Sequence, residues 1–221
     1  MIVALGLFQG FTALDAIGPY QVFTTVPNVE VVLCAAEKDT VADDHGLLRL
    51  QVDKTFAELP RPDVLVVPGG PASLTLAKEN APIVEWVREA HPHTTWTTSV
   101  CTGAHILAAA GVLAGLPAAT HWNFHKELAE YGAQPTDQRV VLGDRIATGA
   151  GSSAGIDLAL TLVAELVAPE VAQGIQLALE YDPQPPFDSG TPSKVEQPLV
   201  EAVSFMMGAF EKDYLERAGR S

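Results

Sequence analysis

The sequence predicts an α/β fold built on a mostly parallel sheet with helices on both faces. Short runs rich in β-branched residues alternate with longer segments of helical spacing. Those short runs are continuously apolar, whereas a sheet with one wet face alternates apolar and polar positions. The 221 residues, 48% of them hydrophobic, hold enough apolar mass for one sizeable core or two small ones.

Taken in order, residues 2–8 read as a buried strand. Residues 14–23 have helical spacing, interrupted at Gly18-Pro19, and residues 29–35 form a second strand. Residues 64–67 form a third, ending in Pro68-Gly69-Gly70. Residues 83–90 are helical, with Trp86 and Val87 turned inward. The β-branched strand 94–100 runs into Cys101 and then into a small-residue helix over 103–110. Strands 140–142 and 146–148 flank a hairpin turn at Gly143-Asp144, and 155–167 is an amphipathic helix. Residues 181–192 carry Pro183, Pro185, Pro186, Gly190 and Pro192, a density that forbids helix. A helical pattern resumes over 194–217 with Leu199, Val203, Met206, Met207 and Phe210. It is expected to cap the core, the alternative being to pack on a second subunit. The chain thus divides into an α/β domain over residues 1–192 and a C-terminal helical extension over residues 193–221.

Composition excludes several function classes. With 27 acidic against 13 basic side chains the net charge is −14, which repels phosphate backbones and anionic lipid. The longest apolar run, residues 106–119, is too short for a bilayer and contains Gly111, Gly115 and Pro117. No basic segment or cleavage site accompanies the opening Ile2-Val3-Ala4-Leu5, so a soluble cytoplasmic protein is expected. Two cysteines, Cys34 and Cys101, cannot form a disulfide framework or a Cys-rich zinc site.

Cys101 is the chemical focus. A strand turning sharply into a helix presents its junction side chain at the carboxyl edge of the sheet, where open α/β sheets bind ligands. Gly103, two residues on, suits the crowding of such an elbow. The positive end of the following helix is expected to pull the thiol pKa below its free value of roughly 8.5. The residues alone leave Cys101 open between a reactive thiol and a small buried apolar side chain. Cys34, late in a strand, reads as core. Pro68-Gly69-Gly70 lets backbone approach a ligand closely, so Gly70 and Thr102 are expected to offer amide N–H groups to developing negative charge.

Three segments make the chain similar to a known family: Leu14-Asp15-Ala16-Ile17-Gly18-Pro19, Val66-Val67-Pro68-Gly69-Gly70 and Ser99-Val100-Cys101-Thr102-Gly103. Together they resemble the DJ-1/PfpI superfamily. Thr120-His121-Trp122, Thr148-Gly149-Ala150-Gly151, Ala154-Gly155-Ile156-Asp157, residues 176–181 and Pro185-Pro186-Phe187 resemble its isocyanide hydratase branch. The resemblance covers residues 1 to about 192. It implies a flavodoxin-like three-layer sandwich with a mostly parallel central sheet, plus the C-terminal helical extension. It also implies a homodimer, no metal or organic cofactor, and hydration of an isocyanide substrate to an N-substituted formamide. Asp15 matches the family's acidic residue beside the thiol, often Glu in the superfamily and Asp in the hydratases; read without the resemblance, it is equally a helix-start residue.

A carboxylate beside a thiolate is repulsive, so a cooperative pair requires Asp15 protonated and donating to sulfur. The expected catalytic residues are therefore Cys101, Asp15 and Thr102, acting through a thioimidate on sulfur. Gly151, Ser152 and His121 are expected to border the pocket. Ser152-Ser153 stands where the hydratase branch carries Ile-Thr, which predicts a wetter pocket. The absence of His after Cys101 disfavours peptidase-like chemistry. His105 lies one turn beyond the thiol. His121 and His125 share an i, i+4 spacing without a third metal ligand. His45, His91 and His93 read as solvated loop residues, and Trp122 and Phe124 as core or interface. The rival readings are an enzyme acting on glyoxals or related carbonyls, a cysteine redox sensor, and the ligand-sensing domain of a regulator. The acidic residues 193–221 are too few to read DNA.

Overall fold

The protein is described over residues 1–219 as a computed structural model; the last two residues of the C-terminal extension lie outside the described residues. β1 (Ile2–Gly6) leads into α1 (Ala13–Phe23) and β2 (Glu30–Ala35). A short antiparallel pair, β3 (Thr40–Ala42) and β4 (Arg49–Gln51), precedes β5 (Lys54–Thr55) and β6 (Val64–Val67). α2 (Ser73–Lys78) and α3 (Pro82–Ala90) lead to β7 (Trp96–Val100) and α4 (Gly103–Ala109). Then come β8 (Pro117–Ala118), α5 (His125–Glu130), β9 (Gln134–Pro135), β10 (Val140–Leu142) and β11 (Ile146–Gly149). α6 (Ala154–Leu166), α7 (Pro169–Ala178) and α8 (Gln197–Arg217) complete the chain.

The central sheet has seven strands in the order β10-β11-β7-β6-β1-β2-β5. Only the β10–β11 pair is antiparallel; β1 pairs with β2 at Val3↔Val31 and with β6 at Val3↔Val64. Every residue of β6 and β11 is buried, which is why these strands are continuously apolar or small. α6 packs against both α1 and α7, and α2, α3 and α4 pack on one another, flanking the sheet as the predicted three-layer sandwich. No described helix is long and apolar enough to cross a membrane.

The structure corrects one local expectation: α1 runs through Gly18-Pro19 without a break. A Cβ at Gly18 would lie 3.2 Å from Ile156 Cγ1, and one at Gly155 would lie 3.1 Å from Pro19 Cδ. The two glycines let α1 and α6 cross closely. That packing, with proline's φ already suited to helix, outweighs the missing hydrogen bond. The hairpin turn forms as expected, with Gly143 N–H donating to the Ile146 carbonyl at 2.8 Å. Residues 181–191 are free of helix and strand, as the prolines require, but Pro192, the last residue of the expected loop, opens a short 3-10 turn over Pro192–Lys194, where its fixed φ suits the first helical position. β3, β4, β5, β8 and β9 are two or three residues each, below the length at which periodicity is readable.

Candidate active site

The site is built at the junction of β7 and α4. Cys101 has φ +57°, a left-handed backbone that a non-glycine residue adopts at a cost of about 1–3 kcal/mol. Three hydrogen bonds hold it there. Its amide donates to the Gly149 carbonyl at 3.0 Å. Its carbonyl accepts from Thr120 Oγ1 at 2.9 Å and from the Ala104 amide at 3.3 Å. A Cβ at Gly103 would sit 2.3 Å from the Val67 carbonyl oxygen, so only glycine lets α4 start this close to β6.

Asp15 reaches the same point from the first turn of α1. It makes no cap bond to its own helix. Its side chain is fully buried, and Oδ2 accepts from the Gly69 amide at 2.9 Å. A Cβ at Gly69 would lie 2.6 Å from Thr102 N and 2.8 Å from Asp15 Oδ2, so this glycine is where the acid and the elbow converge. Asp15 Oδ1 is buried without a hydrogen-bond partner. Burial pushes the Asp15 carboxyl up to about 6. The Ser152 hydroxyl, the Gly69 amide and the Cys101 thiol pull the other way, and Asp44 adds to the rise. Ser152 and Cys101 act here as polar neighbours at longer range than a formed hydrogen bond, since Oδ1 stays unbonded.

The thiol does not follow the expected downward shift. Burial pushes the Cys101 pKa well above its ordinary value, and the charge of Asp15 pushes it further. The Thr102 amide and hydroxyl oppose the rise. Desolvation of the buried sulfur outweighs what the Thr102 amide at the start of α4 supplies. Between about pH 6 and the point where the second proton leaves, the two groups share one proton and one negative charge. Cys34 is buried in the core as expected, its thiol 3.5 Å from the Leu5 carbonyl.

Gly70 also departs from expectation. Its amide donates to Thr102 Oγ1 at 2.9 Å, and that hydroxyl returns a bond to the Gly70 carbonyl at 3.2 Å. The Gly70 N–H is therefore spent on fixing Thr102 rather than aimed at a ligand. The φ of +155° and a Cβ position 2.2 Å from the Gly10 carbonyl oxygen make glycine obligatory there.

A cavity of about 320 Å³ opens over Cys101 and Thr102. Leu74 and Phe124 wall it, and Met206, Met207, Phe210 and Glu211 of α8 line it from the other side of the chain's fold. Tyr214 pins that helix, its hydroxyl donating to the Gln9 carbonyl at 2.9 Å. His45 also lines the cavity, its ring 5.1 Å from that of Phe210. His45, Phe124 and the α8 side chains were not legible as site residues. The only trace in the sequence was the apolar spacing of Met206, Met207 and Phe210, equally consistent with core packing. A larger cavity of about 550 Å³, by Phe8, Phe56 and Ile83, contains neither cysteine.

Gly151, Ser152 and His121 are not among the residues lining the Cys101 cavity. Ser152 instead stands beside Asp15. Gly151 backs onto His121, where a Cβ would lie 3.5 Å from the ring. His121 Nδ1 accepts from the Asn123 amide at 3.3 Å, and burial lowers its pKa to about 4, so the ring is neutral at pH 7. His105 is buried with its ring nitrogens 3.1 Å from the Thr102 carbonyl and 3.2 Å from that of Phe124, turned away from the thiol. His91 is half-buried against Thr97 Oγ1 at 2.8 Å rather than free in a loop. Among the described residues no three His, Cys, Asp or Glu side chains are placed to hold a metal ion.

The model of the DJ-1/PfpI family matches residues 1–165. Isonitrile hydratase of Pseudomonas putida is 42% identical over 195 residues, 88% of this chain and 85% of that protein. The glutathione-independent glyoxalase DJR-1.2 of Caenorhabditis elegans is 29% identical over 154 residues, 69% of this chain and 77% of that one. Among solved structures, a ThiJ/PfpI family protein from Pseudomonas syringae superposes with a TM-score of 0.89 at 34% identity, covering 96% of this chain and 88% of that one. Schizosaccharomyces pombe DJ-1, at 19% identity, shares the fold with a TM-score of 0.70 over 81% of this chain and 98% of its own.

Proposed function

The chain belongs to the DJ-1/PfpI family, and on that premise we propose that it is a cysteine-dependent isocyanide hydratase. The observation that carries the reading is the buried Asp15–Cys101 pair, in which a carboxyl with a raised pKa and one unbonded oxygen lies beside the elbow thiol. The likeness to the Pseudomonas putida isonitrile hydratase supports it.

In the proposed reaction the one proton of the pair passes from the thiol to Asp15, so that protonated Asp15 and the Cys101 thiolate are the reacting form. Sulfur attacks the terminal carbon of R–NC while Asp15 gives that carbon its proton, forming the thioimidate R–N=CH–S–Cys101. Asp15, now a carboxylate, takes a proton from water as the water oxygen bonds to the same carbon. It passes that proton to nitrogen, then accepts the hydroxyl proton as the C–S bond breaks. R–NH–CHO leaves, and protonated Asp15 and the thiolate are restored. Water is the only co-substrate, and no electron changes hands. The Thr102 amide, directed at sulfur, stabilises the thiolate as attacking and leaving group, and Gly70 acts by fixing Thr102.

We further infer a cytoplasmic homodimer, for which the exposed Leu177, Phe187 and Phe205 supply apolar surface. In this reading residues 193–221 are an extension that completes the site rather than a separate unit.

The test is loss of the isocyanide infrared stretch from an alkyl or aryl isocyanide, with formamide appearing by NMR. Cys101→Ser and Cys101→Ala should lose the activity while keeping the native circular dichroism spectrum. Retention of more than a few per cent of kcat by the alanine variant rules out the covalent step. Methylglyoxal consumption without isocyanide turnover places the chain with the glyoxalase relative instead.

A further inference from the structure

The mechanism uses Cys101, Asp15 and Thr102 but leaves two ionisable side chains that line the cavity over the thiol, Glu211 and His45, without a role. Glu211 lines the pocket from α8, one residue beyond the apolar Phe210 and about four helical turns into a helix whose Tyr214 is fastened to Gln9. Its surroundings are predominantly acidic. Burial first, and then the facing Glu127 of α5, hold the Glu211 carboxyl above its ordinary value, while Lys78 of α2 favours its charged form. Glu127 Oε2 is itself buried without a hydrogen-bond partner. On the other side, Asp44 accepts from Thr12 Oγ1 at 2.8 Å, directly behind the cavity wall, and also faces Asp15. His45, its side chain 64% exposed, is the basic group lining the cavity.

We propose that Glu211 is a specificity-determining residue: it makes the cavity over Cys101 a charge filter that refuses electrophiles with an anionic substituent and admits neutral apolar ones. The isocyanide form of this inference rests on the proposed function; the filter itself does not. A substituent attached to a carbon bonded to Cys101 must extend into a space of about 320 Å³ between Phe124, Met206, Met207 and Phe210. A neutral alkyl or aryl group gains from that contact. A carboxylate placed there loses its hydration against apolar walls and meets the Glu211 charge in a medium that screens poorly. Because α8 lies outside the sheet and its helical layers, selectivity can change on this helix without disturbing the elbow.

Two matched pairs of probes test the filter in the full-length protein. The first is isocyanoacetate against its methyl ester, read as the ratio of kcat/KM values. The second is iodoacetate against iodoacetamide, read as the ratio of Cys101 alkylation rates by mass spectrometry. Glu211→Gln should raise both anionic-to-neutral ratios by roughly five- to tenfold at low salt, and the gain should shrink as ionic strength rises. Glu211→Asp, which keeps the charge, should leave the ratios near wild type. Glu201→Gln, an equal change of net charge at an exposed position on the same helix, should not move them. An alkylation ratio that stays within twofold of wild type in Glu211→Gln overturns the filter. A raised alkylation ratio with no isocyanide consumed by any variant leaves the filter standing and removes the isocyanide reading.

Discussion

Replacing Asp15 by Asn should make the protein more stable and less active at the same time, by amounts that depend on pH. The folded-state pKa of Asp15 is about 6 against an ordinary 3.8, and burial is the leading cause. A carboxyl raised in this way holds its proton longer in the folded state than in the unfolded one. Below about pH 4 both states are protonated and Asp15 imposes no cost. As pH rises from 4 to 6 the unfolded chain ionises first, and the penalty on folding grows until it levels off above about pH 6. Some two pKa units at 1.36 kcal/mol each make about 3 kcal/mol. The Cys101 thiol, pushed well above its ordinary value, stays protonated in this range and does not change the sign. Asn keeps an oxygen for the Gly69 amide but cannot ionise. Its advantage should therefore be close to zero at pH 4 and approach about 3 kcal/mol at pH 8, or about 6–12 °C in Tm for a chain of this size. Thermal melts of both proteins across that range, at one protein concentration, measure it. The same variant should lose at least roughly a hundredfold in kcat, the usual scale of acid–base help. A Tm difference that is the same at pH 4 and pH 8 would refute the claim that Asp15 is held against its charged form.

Further outcomes follow from the same geometry. The log of kcat/KM should rise through about pH 6, where the Asp15–Cys101 pair loses its first proton, and then stay level until the second leaves; Ser152→Ala, which removes a hydroxyl that lowers the Asp15 pKa, should move that limb to higher pH. Gly103→Ala places a methyl where the Val67 carbonyl oxygen is 2.3 Å away, and should destabilise the fold by about 1–3 kcal/mol or more in denaturant titration, with the alkylation rate of Cys101 altered as the elbow shifts.

Much of the architecture was legible in the sequence because it is a local matter. Continuous apolar runs such as Val64–Val67 demand a sheet covered on both faces, and that is where β6 lies. The hairpin at residues 143–145 and the loop over 181–191 follow from turn residues and prolines. Gly103 pointed to the elbow because close backbone approach leaves a mark on residue choice. Gly18-Pro19 misled for a related reason. The local rule for a break was correct, but the packing of α1 against Gly155 and Ile156 overrode it.

The sequence by itself determined that a strand would turn into a helix at Cys101, with Thr102 and Gly70 beside it, and its resemblance to the DJ-1/PfpI superfamily added Asp15. Only the tertiary structure decided what those groups do. It engaged the Gly70 amide with Thr102, put Ser152 beside the acid, and swung Phe124 and four side chains of α8 over the thiol. It also reversed the expected direction of the thiol pKa. Backbone conformation is written in neighbouring residues. The exclusion of water that sets a charge's cost is the joint work of segments as far apart as Asp15 and Glu211, and no local pattern records it.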